Sequence, residues 1–269
     1  MKRLLMINKI EELKINNVDY YILGLKNYNN LNVYEFELDN ILKYLNKNIV
    51  VSLNKLFKSS ELDNIKSILK KFENKIYGII FSDPSIYKIV NDNNINVKLI
   101  YGNTKATTNY NTINMWSSLG VKDIIISQDI TLNEIIEISN NTNCNLYVNI
   151  YGRNIVSTSK RMFLKNYFEH INNKNNNNLY TMKNNKYDFK IYETNDESVI
   201  LSEIVNGLKY IDILNKNNIN NFIFNSYDVE NIDNVINTLY DDNINFTGFF
   251  EKETIYKVGD INDWVTCAR

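Results

Sequence analysis

Apolar residues along this chain fall into eight short β-rich runs, most of them separated by segments with the helical period. The runs are LLMIN (4–8), YYILGL (20–25), IVVSLN (49–54), GIIF (78–81), KLIY (98–101), DIIIS (123–127), LYVNIY (146–151) and NFIFN (221–225). Between them, ELDNIKSILKKF and TLNEIIEIS repeat apolar positions every three and four residues, which predicts helices with one buried face. Asp83 ahead of Pro84 suits a cap and the first turn of a helix, and Gly120 suits the left-handed residue that ends one. Strand and helix in alternation imply a parallel sheet, and eight such units imply closure. The fold class expected is α/β, a TIM-like (β/α)8 barrel.

One interruption breaks the rhythm. Between the seventh and eighth runs, NLYTMKNNKYDFKIYETNDESVILSE reads as two or three antiparallel strands with KNNK and TNDE turns. No linker rich in Pro, Gly or Ser divides the chain. The expected organisation is a single barrel domain over 1–258, with a small antiparallel β insertion at about 172–203 between strands seven and eight, and a C-terminal tail over 259–269.

In a parallel barrel the loops that follow the strands make the working face. Here they carry Asn8, Asn54, Ser82, the stretch 103–109, Ser127 to Asp129, the stretch 152–161 and Asn225 to Tyr227. The loop after the seventh strand opens GRNIVSTSKRMFLKNYF, which gathers Arg153, Lys160, Arg161 and Lys165 with no acid among them. Strand seven is expected to end near Tyr151, with Gly152 turning the chain and Lys160 and Arg161 in the first turn of a helix above the barrel. Arg153 and Lys165 are expected to be more peripheral. Cations at a helix start oppose the helix dipole, so helix stability does not account for them. With free backbone N–H groups they could hold a phosphate or carboxylate; the alternatives are a solvated face or a salt bridge to Asp129. TKATTNYN (104–111) is dense in small hydrogen-bonding side chains, but Thr108 or Asn109 equally suits a helix cap, and so does Asp129.

Composition narrows the chemistry. Lys and Arg number 30 against 31 Asp and Glu, so a polyanion could be met only by a local basic patch. The 19 tyrosines are scattered and do not form an interleaved basic–aromatic strip. No apolar run approaches the roughly 18 residues of a membrane span, and MKRLLMINKIEEL reads as the first strand of a cytoplasmic protein with no membrane partner. Cys144 and Cys267 can build neither a disulfide framework nor a four-thiolate metal site. The single histidine, His170, reads as a surface helix residue, which leaves no His-rich metal site and disfavours a His-dependent triad. The Asn-rich stretch 172–178 reads as a flexible surface loop.

The order of motifs resembles the collagenase-like peptidase family, peptidase family U32. VDYYILGLKNYN is similar to the family's ADAVYLGLK segment, IVVSLNKLF to its VYVTLNTL strand, and MWSSLGVKDIIISQDITLNEIIEI to its LGVSRVVLSRELTLEEI signature. LYVNIYGRNIVSTSKRMFLKNYF matches the strand that reads VFVHG, then a polar loop and LSNY, so the resemblance runs in register from about Asp19 to Phe168. The later IYETNDESVILSEIVNGLKYIDIL is similar to the family's Glu-containing hairpin and the helix after it.

The departures are informative. Tyr151 stands where most members have histidine, Gln128 replaces an arginine, and Ile155 and Met162 occupy the places of two cluster cysteines. No iron–sulfur cluster, other cofactor or metal is therefore expected, because neither side chain can act as a thiolate. The pattern is most similar to a short, cluster-lacking branch found in low-GC Gram-positive bacteria. That branch is associated with prephenate-dependent 5-hydroxylation of the wobble uridine of tRNA. The resemblance thus implies a tRNA-modification factor, with prephenate as co-substrate and tRNA and a family paralogue as partners. Asp129 and Arg161 are the expected catalytic residues. Asn54, Thr108, Asn109, Gly152, Ser159, Lys160 and Arg161 are the expected binding residues. Two other readings stay open: a peptidase, for which the chain offers no zinc ligand set, catalytic thiol or paired histidine, and a catalytically silent barrel that scaffolds an active paralogue.

Overall fold

The computed structural model describes residues 1–29, 35–46, 48–174, 177, 179–183, 188–194 and 197–252. The tail over 259–269 and parts of the insertion lie outside the described residues. Eight parallel strands close a barrel: β1 (Lys2–Met6), β2 (Tyr20–Leu25), β4 (Ile49–Leu53), β5 (Gly78–Phe81), β6 (Leu99–Tyr101), β7 (Asp123–Ile125), the first half of β8 (Asn145–Ser159) and β12 (Asn221–Asn225). Closure comes from β12, which pairs with β1 on one side and with β8 on the other. A two-residue strand, β3 (Glu35–Phe36), hangs on the end of β2.

Period-two alternation divides these strands between two cores. Leu4, Met6, Ile22, Val50, Ile80, Ile100, Ile125, Tyr147 and Ile223 face inward and fill the barrel. Their neighbours, such as Leu5, Leu23, Val51, Ile79 and Phe222, face the helical layer. That layer includes α1 (Leu38–Lys43), α2 (Leu62–Phe72), α3 (Pro84–Asp92), α4 (Tyr110–Ser118) and α5 (Leu132–Asn140), each burying apolar residues against the barrel. Helix starts follow sequence chemistry: Asp83 accepts from the Ser85 N–H, Asn109 from Thr112 N–H, and Thr131 with Glu134 forms a reciprocal capping box.

The N-terminal end of the barrel is plugged by a polar network. Asp123 accepts from Lys98 Nζ at 2.8 Å and from the Tyr147 hydroxyl at 2.8 Å, while Lys98 also reaches the Tyr77 hydroxyl at 2.9 Å. Burial and the Asp123 charge together push the Tyr147 hydroxyl well above the usual phenol range. Burial would raise Tyr77 too, but the hydrogen bond it accepts from Lys98, with the Tyr147 hydroxyl and the Lys98 charge, outweighs it and lowers that group instead. The four side chains hold one another's charges in place of water.

The seventh barrel strand departs from the sequence expectation. It does not end at Tyr151: β8 bends at Gly152 and continues to Ser159, now antiparallel to β11 (Ser198–Asn206). β10 (Asp188–Glu193) and β9 (Leu179–Lys183) extend this antiparallel sheet, which rises from the barrel's C-terminal end as an arm. Gly152 has φ of +113°, and a Cβ there would lie 2.5 Å from the carbonyl oxygen of Asn225. Only glycine meets both demands. The helix after β8, α6 (Phe163–His170), starts later than expected, so Lys160 and Arg161 sit in the turn before it.

Two measurements check this account. Asp123→Leu alone should cost about 3 kcal/mol in urea unfolding, because it strands Lys98, whereas Lys98→Met with Asp123→Leu should recover most of the loss. Gly152→Ala should cost about 2–3 kcal/mol through the positive φ and the clash with Asn225. Melts unchanged within about half a kcal/mol would reject the respective role.

Candidate active site at the barrel mouth

At their C-terminal ends the inward positions of the strands change from aliphatic to small and polar. Met6 is followed by Asn8, Val50 by Ser52 and Asn54, Ile80 by Ser82, Ile125 by Ser127, Tyr147 by Asn149 and Ile223 by Asn225. The result is a mouth of neutral amides and hydroxyls. A narrow cleft of about 20 Å³ lies there, lined by Met6, Thr104, Gln128, Asn149, Asn154 and Asn225 and by Ile155 and Leu201 of the arm. Gln128 Nε2 donates to the Ile155 carbonyl at 2.7 Å, and Asn225 Nδ2 to the Arg153 carbonyl at 3.0 Å, so the arm is stitched across the mouth. The half-buried side chains of Asn149, Asn154 and Thr104 make no hydrogen bond among the described residues and are available to a ligand. Asn8 donates to Ser226 Oγ at 2.8 Å, yet its own carbonyl oxygen is buried without a partner. An unpaired buried acceptor costs free energy that a bound donor would recover.

Arg153 pins this arrangement. Its side chain is only 10% exposed; Nε and Nη2 hold Asp228 at 3.0 and 2.8 Å, and Nη1 donates to the Ser202 carbonyl at 2.8 Å. Lys190 approaches the same Asp228 oxygen at 3.5 Å. The expectation that Arg153 is peripheral is corrected: the residue after the Gly152 bend points back between β11 and the loop after β12. Beside it, burial and then the Asp228 charge push the Tyr227 hydroxyl up to about 12. Tyr151, in the place of the family's histidine, donates to Asp241 at 2.5 Å, and burial with that carboxylate raises its hydroxyl. Both phenols therefore stay protonated at neutral pH.

The rim outside the mouth is predominantly acidic. Glu11, Glu12, Glu35, Glu37 and Glu230 surround a cleft between the loops after β1, β2 and β12, together with Lys9 and with Lys26, which pairs with Glu37. Asp241 and Asp242 line another beside Tyr151. Burial raises Glu35 above the usual carboxylate range despite its hydrogen bond from the Asn27 N–H and the nearby Lys55 and Lys26.

The residues expected from sequence are dispersed. Asn54 accepts from Ser52 Oγ at 3.1 Å and Gly152 lies at the bend, so both belong to the mouth. Asp129 stands on the rim, ion-paired to Lys105 and not to Lys160 or Arg161. Thr108 and Asn109 are exposed, and Asn109 is the cap of α4. Ser159, Lys160 and Arg161 lie at the far end of the arm, where Lys160 meets Glu197 at 3.4 Å and Ser159 Oγ accepts from the Arg161 N–H. The anion cradle expected at the helix start is already filled. Both Glu193 carboxylate oxygens accept from α6, at Leu164 N and Lys165 N (2.6 and 3.0 Å), and Ser198 Oγ takes the Phe163 N–H. Asn149 was legible in principle, since it continues the inward face of Tyr147; Arg153 carried no such signal. Ile155 lines the cleft and Met162 precedes α6, while Cys144 lies at the opposite, N-terminal end of β8. These residues do not fit an iron–sulfur cluster, and Cys267 lies outside the described residues.

A curated relative from Bacillus subtilis (strain 168), named tRNA hydroxylation protein P2, is 24% identical over 123 residues, which is 45% of this chain and 40% of the relative. The match thus spans less than half of either protein. No solved structure matches the chain. The sequence pattern of peptidase family U32 matches residues 6–246, essentially the whole barrel with its arm, and the chain belongs to that family.

Proposed function

We propose that this protein acts in tRNA modification, in the 5-hydroxylation of a wobble uridine, with prephenate as co-substrate. The observation that carries the reading is the similarity to tRNA hydroxylation protein P2. The mouth supports it chemically. A uracil edge offers two carbonyl acceptors and one N–H donor, and neutral side-chain amides supply the complementary groups without demanding a charge. Asn149, Asn154 and Gln128 are such groups. An anticodon base is already unpaired, so little is lost in turning it out of its stack. The cleft as it stands holds about 20 Å³, room for a water, so a base would enter only with Ile155 and Leu201 of the arm displaced from Met6, and would then be shielded by them.

The anionic co-substrate needs a cation, and the cleft lining holds Arg153, whose Asp228 partner is also approached by Lys190, and not Lys160 or Arg161. Arg153 and Lys190 are satisfied by the Asp228 carboxylate, which is 37% exposed and stands where a ligand carboxylate would exchange with it. The peptidase reading has less behind it. His170 is exposed on α6, far along the arm, and among the described residues no histidine or thiol faces the mouth.

Mass spectrometry of tRNA nucleosides from a strain lacking this gene and any family paralogue should show loss of 5-hydroxyuridine derivatives, and unchanged levels would overturn the proposal. Asn149→Ala should restore them poorly, since a lost hydrogen bond of about 1–2 kcal/mol lowers turnover at limiting substrate about five- to thirtyfold. Prephenate should raise the melting temperature of the wild type and not of Lys190→Ala.

A further inference from the structure

The structure assigns an RNA-docking surface to the outer end of the arm, at α6 and the turn before it. The inference rests on the tRNA reading above and adds where the RNA backbone is held. Three observations carry it. First, cations gather there: the stretch 159–174 holds Lys160, Arg161, Lys165 and Lys174 against Glu169, and the two acids packed beside it are already engaged, Glu193 by the α6 N–H groups and Glu197 by Lys160.

Second, much of that charge is uncommitted. Arg161, Lys165 and Lys174 are exposed and have no carboxylate partner among the described residues, whereas Lys160, Lys183 and Lys190 are paired. Third, α6 exposes an apolar stripe instead of burying it. Phe163, Tyr167 and Ile171 recur every four residues and are 39%, 56% and 42% exposed. Tyr167 packs edge-on against Phe168, which is tilted against Tyr180 of β9, so the stripe has a rigid aromatic backing. Cations interleaved with exposed aromatic faces are what single-stranded nucleic acid requires, phosphates meeting the first and bases stacking on the second.

The acidic rim completes the argument. Glu11, Glu230, Asp241 and Asp242 leave the rim net negative despite Lys9 and Lys26, so an RNA that delivers a neutral base there would carry its backbone elsewhere. From Gly152 to Ser159 the arm runs seven residues, at most about 23 Å of strand. The docking surface therefore lies within a few nucleotides of the mouth.

Fluorescence anisotropy with an unmodified tRNA transcript tests the assignment. Arg161→Glu with Lys174→Glu should weaken binding at least about thirtyfold at low salt and flatten the salt dependence by about two logarithmic units per unit of log salt. Tyr167→Ala should weaken binding about tenfold and leave the salt slope alone. Lys70→Glu, on the exposed side of α2, is the matched control and should change affinity less than threefold. Thermal melts should be unaltered, because none of these side chains is buried. A wild type that binds the transcript while the α6 variants bind equally well would overturn the assignment and leave the proposed function standing. A wild type that fails to bind RNA but captures a second protein through α6, at affinity independent of salt, would overturn it as well. Unchanged tRNA nucleosides in the deletion strain are a separate result, and they bear on the proposed function alone.

Discussion

The bend of β8 at Gly152 is the constraint on which everything at the working end depends. Up to Tyr151 the strand belongs to the barrel, paired in parallel with β7 and β12; beyond Gly152 it belongs to an antiparallel sheet with β11. The change of partner needs a positive φ and backbone contact with Asn225 that leaves no room for a Cβ. Once the bend is made, Arg153 falls between β11 and the loop after β12 and ties both down through Asp228 and Ser202. The arm is thereby carried across the mouth and not away from it, which turns an open strand end into a roofed cleft.

Polarity is then distributed by depth. The barrel interior is aliphatic in the middle, sealed below by the Lys98–Asp123–Tyr147 network and lined above by amides and hydroxyls. Outside the mouth the rim is predominantly acidic, with Lys9 and Lys26 among the carboxylates, and Arg161, Lys165 and Lys174 stand exposed farther out along the arm. A ligand that is neutral where it enters and anionic where it is gripped fits this order. A small free polyanion does not, because it would have to pass the acidic rim first.

Much of the fold was legible because it rests on period. Strands buried on both faces read as continuous apolar runs, and β2, β5 and β12 begin and end where the runs do. The seventh run misled for a physical reason. Its extension, RNIVSTS, has exposed polar positions on one face and little hydrophobic signal, so its pairing with β11 depends on a partner some forty residues away in sequence. That one misplaced boundary moved the expected site. With the strand ended at Tyr151, Lys160 and Arg161 fall over the pore; with the strand continued to Ser159, they fall at the end of the arm. Glu193 filling the α6 N-terminus was equally hidden, since nothing local to either segment pairs them. The amides of the mouth were partly visible: Asn54 and Asn225 end their runs, and Asn149 lies inside its own.

In the proposed function the neutral cleft beneath the arm receives the wobble base. A tRNA transcript carrying 4-thiouridine at that position, photolysed with the wild-type protein and mapped by mass spectrometry, tests it most directly. The account predicts adducts within the β8 segment 145–155 or the loops carrying Thr104 and Gln128, and their loss in Gly152→Ala. Adducts confined to the outer faces of α2 to α5 would contradict it.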